Sequence, residues 1–311
     1  MDTIKSKSPE LAVEAVNSIE EVAGQYPGYR RAHAKGVVYH AVFTPNGQAS
    51  RLTMASHLQN HEVQALVRFS NSSTNPSIPD VFSPAKGMAV QFELPDGGVS
   101  SLVTITLPIF FAKTPQSFID ILSTIKENSF EGATIADKFK AVLEKYPESR
   151  AGLQAVKMLQ PPLSFTTNQY HSIHAYYFTN AAGERRPVKY EWEPEAGLHF
   201  LTQEEMGTRS PDYLEDELAE RLSKGPVEFQ LTVLLGQDGD PTDDPTSAWP
   251  EDRERIVVGH LSITHLADEK DQDNVFDPTV VPAGIECSED PILNFRHDAY
   301  AVSHARRSHG Q

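Results

Sequence analysis

One cysteine, Cys287, stands among 311 residues. No disulfide can form within the chain, and neither a zinc finger nor an iron–sulfur cluster can be built. Basic charge is also scarce. Lys and Arg number 27 against 43 Asp and Glu, a net charge of −16. That balance repels phosphate backbones and anionic membrane surfaces, so a small substrate is expected rather than a nucleic acid or a lipid. No stretch approaches the length of a membrane span, and the opening MDTIKSKSPELAVEAV has no signal-like apolar run. Together with the single thiol, this reads as a cytoplasmic protein. The phosphate loop, the dinucleotide fingerprint and the GxSxG elbow are all missing, which leaves phosphate-loop, Rossmann and hydrolase chemistry without support.

What is present is mostly strand. Residues 36–43, 66–70, 87–93, 99–106, 172–179, 187–193, 227–235 and 256–264 are β-branched, aromatic or alternating. Turn signals such as Pro45-Asn46-Gly47 and Asp96-Gly97-Gly98 separate neighbours. Helical patterns fall at 8–24, at about 115–158 and at 290–307. In the first, Ser8-Pro9 supplies a cap and Leu11, Val13, Val16, Ile19 and Val22 are expected on one face. Four strands, a helical stretch and four more strands predict an α+β chain, a closed eight-stranded antiparallel β-barrel with a helical insertion and a C-terminal helix. Residues 237–252 read as an acidic, Pro-rich loop. No repeat or linker divides the chain, so residues 1–311 are expected to form a single domain.

Several residues could carry chemistry. Arg296 and Tyr300 share a helical face at i, i+4, and a guanidinium beside a phenol favours the phenolate, one of the few protein groups that ligate haem iron. Alone, the pair reads equally well as packing. His33, just before the first strand, could be a general base or a hydrogen-bonded structural histidine. Arg30, Arg31, Lys35 and Arg68 lie close to apolar strands, where they would receive an anionic ligand or form ordinary ion pairs. His57 and His61 have metal-ligand spacing on an expected helix, but no third ligand is evident. His297 and His304 are expected to be solvated or paired with acids, and Cys287 to pack inertly.

Taken in order, these segments resemble the haem catalase family, above all its short branch, the catalase-related peroxidases. The run FDPTVVPAGIECSEDPILNFRHDAYAVSHARR (276–307) is similar to the family's GIE-x-S-x-D core followed by R-x-x-x-Y. The resemblance implies that Tyr300 is the proximal iron ligand, that Arg296 hydrogen-bonds it and that Arg307 contacts a haem propionate. Arg30 to Gly36 resembles R-x-x-H-A-K-G, which implies His33 as the distal acid–base and Arg30 as a propionate arginine. VRFSNSSTNPSIPDVFSPAKGMAVQFELPDG places Arg68 on a second propionate arginine and Ser70 on the serine that orients the distal histidine. LPIFFAKTPQSF places Phe110, Phe111 and Phe118 near the haem edge and distal pocket. The strands SIHAYYFTNAAGE and VKYEWEPEAG and the loop DPTSAWP also resemble the family, so the likeness runs from about residue 24 to 307.

The departures are informative. Full catalases carry a distal asparagine where Ile105 stands here, between Thr104 and Thr106. The sequence ends soon after Tyr300, so the helical domain that bears part of the nucleotide site in NADPH-binding catalases is expected to be lacking, as is most of the N-terminal arm. The resemblance implies a single catalase-like domain holding haem b. It implies reduction of hydrogen peroxide or organic hydroperoxides with a small organic electron donor, weak catalase activity and a homo-oligomer, with a dimer expected. A catalase-fold lyase or isomerase of fatty-acid hydroperoxides, or a non-enzymatic haem binder, would share the same ligands. These are told apart by products and by whether peroxide turns over.

Overall fold

A computed structural model of the chain describes residues 8–83 and 85–310. The strands are β1 (Gly36–Pro45), β2 (Val63–Asn71), β3 (Lys86–Glu93), β4 (Val99–Ile105), β5 (Tyr170–His171), β6 (Tyr176–Thr179), β7 (Arg185–Pro194), β8 (Val227–Leu235), β9 (Arg255–Leu266) and β10 (Ile285–Cys287). Eight of them close a ring in the order β7-β5-β4-β3-β2-β1-β9-β8 and back to β7, and every neighbour is antiparallel. β6 pairs with β7 outside that ring, and β10 adds to β6.

The expected strand 172–179 holds only β6, Tyr176–Thr179, and the barrel stave β5 lies just before it at Tyr170–His171. β5 is a barrel stave of two residues, while β6 leaves the barrel. The break is local: Ser172 turns its hydroxyl onto the His174 carbonyl at 2.7 Å, and its own N–H goes to the Tyr190 carbonyl. β10, three residues long, has no counterpart in the sequence reading.

Side chains alternate across each strand. The inward set, including Phe43, Val67, Phe69, Val90, Phe92, Trp192, Phe229 and Leu261, forms the main apolar core, with Trp192 edge-on to Phe43 at 6.2 Å. Burying each such side chain contributes roughly 1.5–3 kcal/mol. The residues between them point outward, and helices cover part of that outer wall.

The helices are α1 (Ser8–Ala23), α2 (Pro115–Glu127), α3 (Ile135–Lys145), α4 (Arg150–Met158), α5 (Gln203–Met206), α6 (Tyr213–Leu222), α7 (Glu269–Gln272) and α8 (Pro291–Ser308). α2 to α4 form the expected insertion. α1 buries Ala12, Ala15 and Val16, while Val13 and Val22 are exposed, so its packed stripe is set by small residues rather than by the larger ones expected there. Small side chains let it lie close to α2 and α8, where Ile119 and Phe295 complete the cluster. α8 begins where Asp290 accepts from the Ile292 and Leu293 N–H groups, with Pro291 in the first turn. No described helix is long and apolar enough to cross a membrane.

Candidate active site on the outer wall of the barrel

Strand register builds half of the site. Gly36, Ser70, Gly87, Ile105 and His171 are successive cross-strand partners, so they form one outward-facing row across β1 to β5. Arg68 lies two residues from Ser70 on the same face. The glycines are needed for space. A Cβ on Gly87 would come within 2.8 Å of Ser70 Oγ and 2.9 Å of His33 Nδ1. One on Gly36 would meet the Phe69 carbonyl at 2.4 Å and the Arg68 guanidinium at 2.6 Å.

His33 is seated over this row. Its Nδ1 lies 3.0 Å from Ser70 Oγ. Its φ of 53° is left-handed, the one such value at a non-glycine among the described residues. That geometry costs on the order of 1–3 kcal/mol and is held by bonds on either side. Arg68 donates to the His33 carbonyl at 2.9 Å, and Ala34 N–H reaches the Ser73 carbonyl. Burial, then the charges of Arg68, Arg296, Arg30 and Lys86, push the imidazole down to about 3. It is therefore neutral at ordinary pH and free to accept a proton.

A helix builds the other half. Arg296 Nη2 donates to the Tyr300 phenol oxygen one turn along α8. Arg296 Nη1 lies 3.2 Å from His174 Nε2, and His174 Nδ1 lies 2.6 Å from Asp290 Oδ2. An arginine can only donate and a carboxylate accepts, so His174 donates from Nδ1 and accepts at Nε2, which is one neutral tautomer. Burial holds this imidazole below its usual range despite the carboxylate beside it. Burial likewise opposes charge on Arg296, but Tyr300 outweighs it and raises the guanidinium further. Asp290 therefore both caps α8 and anchors a chain that ends on Tyr300.

Between the halves lie three arginines. Arg68 is 5% exposed, with Nε making no hydrogen bond, and burial holds it well below its usual range. Arg307 has a buried, unpartnered Nε and meets the Asp273 carboxylate and carbonyl through Nη2. Arg30 donates to the Asn274 carbonyl at 2.6 Å, and burial with the nearby Arg307 charge lowers it to about 10. Arg30 and Arg68 both feel the Tyr300 oxygen and each other.

The structure thus brings His33, Ser70, Arg30, Arg68, Arg296, Tyr300 and Arg307 together. The other two cations of the sequence reading are ordinary ion pairs: Arg31 meets Glu20, and Lys35 meets Asp80 and Asp212. Phe118 joins the cluster beneath α8, while Phe110 lies on Phe111, 4.4 Å ring to ring, against the insertion helices. His57 and His61 are not on a helix. His57 ends in a 3-10 turn, 3% exposed and stacked on Phe92 at 4.6 Å, which removes the basis of the metal reading. His297 and His304 pair with Asp277 and Asp273 as expected. Burial pushes the Cys287 thiol up to about 11, so it stays unreactive. Sequence reasoning missed His174, Asp290 and Gly87. The Asp-Pro helix start and a glycine inside a strand were the visible signals.

A barrel whose outer wall sets a shielded, neutral histidine across a group of arginines from a phenol backed by a guanidinium is the scaffold of a peroxide-handling haem enzyme. The family model described as Catalase matches residues 15–311, and the chain belongs to the catalase family. It is 36% identical over 294 residues to a catalase-related peroxidase of Mycolicibacterium paratuberculosis, covering 93% of this chain and 92% of that one. It is 31% identical over 300 residues to one of Synechococcus elongatus, covering 96% and 88%. A fungal catalase structure superposes with a TM-score of 0.80 at 22% identity, covering 91% of this chain and 60% of that one, so the chain spans about three fifths of that catalase. Membership implies a haem cofactor, and the residues present fit one: buried arginine N–H groups lacking acceptors suit carboxylates, and a phenol oxygen suits iron.

Proposed function

We propose that this chain is a haem b-dependent peroxidase that reduces hydrogen peroxide or organic hydroperoxides with a small organic electron donor. The observation that carries the reading is a neutral His33, fixed at Nδ1 by Ser70, within charge range of the Arg296–Tyr300 pair. Tyr300 would hold the iron, Arg30, Arg68 and Arg307 the propionates, and Phe110 and Phe118 the apolar edge. When bound, the haem supplies the redox centre at which the O–O bond is cleaved.

The protein's own part is proton handling. Ser70 occupies Nδ1 of His33, which leaves Nε2 to take a proton from the peroxide and return it to the departing oxygen, so that water or an alcohol leaves. The donor supplies the two electrons and two protons that complete the reduction. Asp290, His174 and Arg296 hold the phenol oxygen in place and keep a positive charge against it. Ile105, in the same outward row as Gly87, puts an apolar side chain beside His33 where a polar one would help position a second hydrogen peroxide. This favours organic hydroperoxides over oxygen release. The single thiol supports a cytoplasmic site of action. A homo-oligomer, a dimer, would cover apolar side chains such as the exposed Met158, Phe130 and Ile135.

The test is the optical spectrum of haem-loaded wild type and Tyr300→Phe, before and after peroxide and donor. A ferric tyrosinate-type spectrum that changes in the variant, with donor oxidised in step with peroxide loss, is the expected result. An unchanged spectrum in Tyr300→Phe would refute the axial assignment. Peroxide rearranged without donor consumption would replace the peroxidase with a lyase or isomerase.

A further inference from the structure

A second cluster of ligand-type side chains lies where β1 meets α7 and its N-cap, Asp268. One ring nitrogen of His40 and one carboxylate oxygen each of Asp268 and Asp271 lie within 4.8 Å of one another. His40 Nε2 is 3.8 Å from Asp271 Oδ2, too far for a hydrogen bond. Two ligands sharing one tetrahedral ion at 2.0–2.1 Å stand about 3.3 Å apart, so a small side-chain rotation brings this pair to ligand spacing. His40 makes no side-chain hydrogen bond among the described residues. Its half-buried ring stays open to a ligand.

A second imidazole lies on the neighbouring strand. His265 is the register partner of His40, and the two rings lie 4.8 Å apart. Thr264 Oγ1 meets His265 Nδ1 at 2.8 Å, which leaves its Nε2 free. The competing cation near the carboxylates is Lys270, 3.8 Å from Asp268 and largely exposed, a weak partner.

We propose that His40, Asp268 and Asp271, with His265 as fourth donor, bind a divalent transition-metal ion of the zinc type. Two imidazoles and two carboxylates suit that class, whereas calcium and magnesium prefer oxygen ligands alone. The ion would pin α7 to β1 beside existing links: the Gln272 side chain bonds both the N–H and the carbonyl of Val38. The next residues, Asp273 and Asn274, hold Arg307 and Arg30. The proposal does not depend on how the haem site works.

The experiment is calorimetric titration of chelator-treated holoprotein with Zn2+ alone, for wild type, His40→Ala, Asp271→Asn and a control, His260→Ala. His260 is also on β9 but faces Glu195 at 3.4 Å. One ion per chain is expected in wild type and in the control, with affinity at least tenfold weaker in His40→Ala and in Asp271→Asn. Zn2+ should also raise the melting temperature of wild type and leave that of His40→Ala unchanged. Equal affinity in wild type and His40→Ala, or no stoichiometric binding in wild type, overturns the proposal. Melting of the metal-free variants shows whether each is folded, so a lost site is not mistaken for a lost fold.

Discussion

The strand-borne and helix-borne halves of the site keep opposite electrical states by opposite means. Around His33 four cations oppose a proton, and Gly87 leaves the room in which the ring lies against Ser70. Around Tyr300 a chain of hydrogen bonds runs through Arg296 and His174 to a buried carboxylate. His33 is neutral because burial and the surrounding cations oppose a charge there, and Arg296 keeps its charge because Tyr300 outweighs its burial. Burial opposes charge on both, so what divides them is the neighbours: cations around His33, and a phenol oxygen against Arg296.

The comparison is broken most severely by removing the neutral base. His33→Ala should lower peroxide turnover about 10²–10⁴-fold while haem uptake and the Tyr300-dependent spectrum persist. Stopped-flow peroxide reduction checks this, and retained turnover would remove His33 from the chemistry.

Acid tests the neutral side next. His33 and His57 are both lowered to about 3 from an ordinary 6.5, each chiefly by burial. Between pH 6.5 and 3 the unfolded chain binds protons there that the folded chain does not. Stability is therefore full above about 6.5 and falls as the pH drops through that window. At pH 5 each imidazole costs on the order of 2 kcal/mol. Urea unfolding at pH 7 and 5 measures the loss, and His57→Phe should reduce it.

Asp290→Asn sharpens the charged side. The amide oxygen can still cap α8, but the carboxylate facing His174 is gone, so turnover should fall about tenfold with little change in melting temperature. A large loss of stability instead would mean that Asp290 serves mainly as the cap. The smallest effect is expected from Ile105→Asn, which places a polar group in the row beside His33. Oxygen release should rise a few-fold relative to reduction of an organic hydroperoxide, read with an oxygen electrode.

The barrel was legible because its staves alternate or are β-branched, and seven of the eight segments read from the sequence are barrel strands. SIHAYYFT is rich in apolar and aromatic residues from end to end, so nothing in it reveals that Ser172 bends the chain and sends Tyr176 to Thr179 outside the ring. The Arg296–Tyr300 pair was legible because it lies within one turn. His174 was not, because its partner Asp290 is 116 residues away and the contact exists only once α8 has docked. The four cations near apolar strands looked alike in sequence, yet only Arg30 and Arg68 face the site. Glu20, Asp80 and Asp212, brought in from other elements, claim Arg31 and Lys35. SHLQNH suggested a helix by spacing, but the burial of His57 against Phe92 is a tertiary fact.

The two-residue stave β5 makes the ring unequal around its circumference. β3 and β4 pair from Gly87 and Ile105 to Glu93 and Val99, whereas β4 meets β5 only at Ile105 and His171. Tyr170, fully buried with its hydroxyl on the Phe165 carbonyl, fastens that narrow stave from within. The barrel is in effect a zipped sleeve with one short fastening, and the zip ends at Ile105, the side chain beside His33. Amide protons along this seam should exchange with solvent sooner than those of β2 and β3, so the wall of the site is stiff at its serine end and yielding at its isoleucine end.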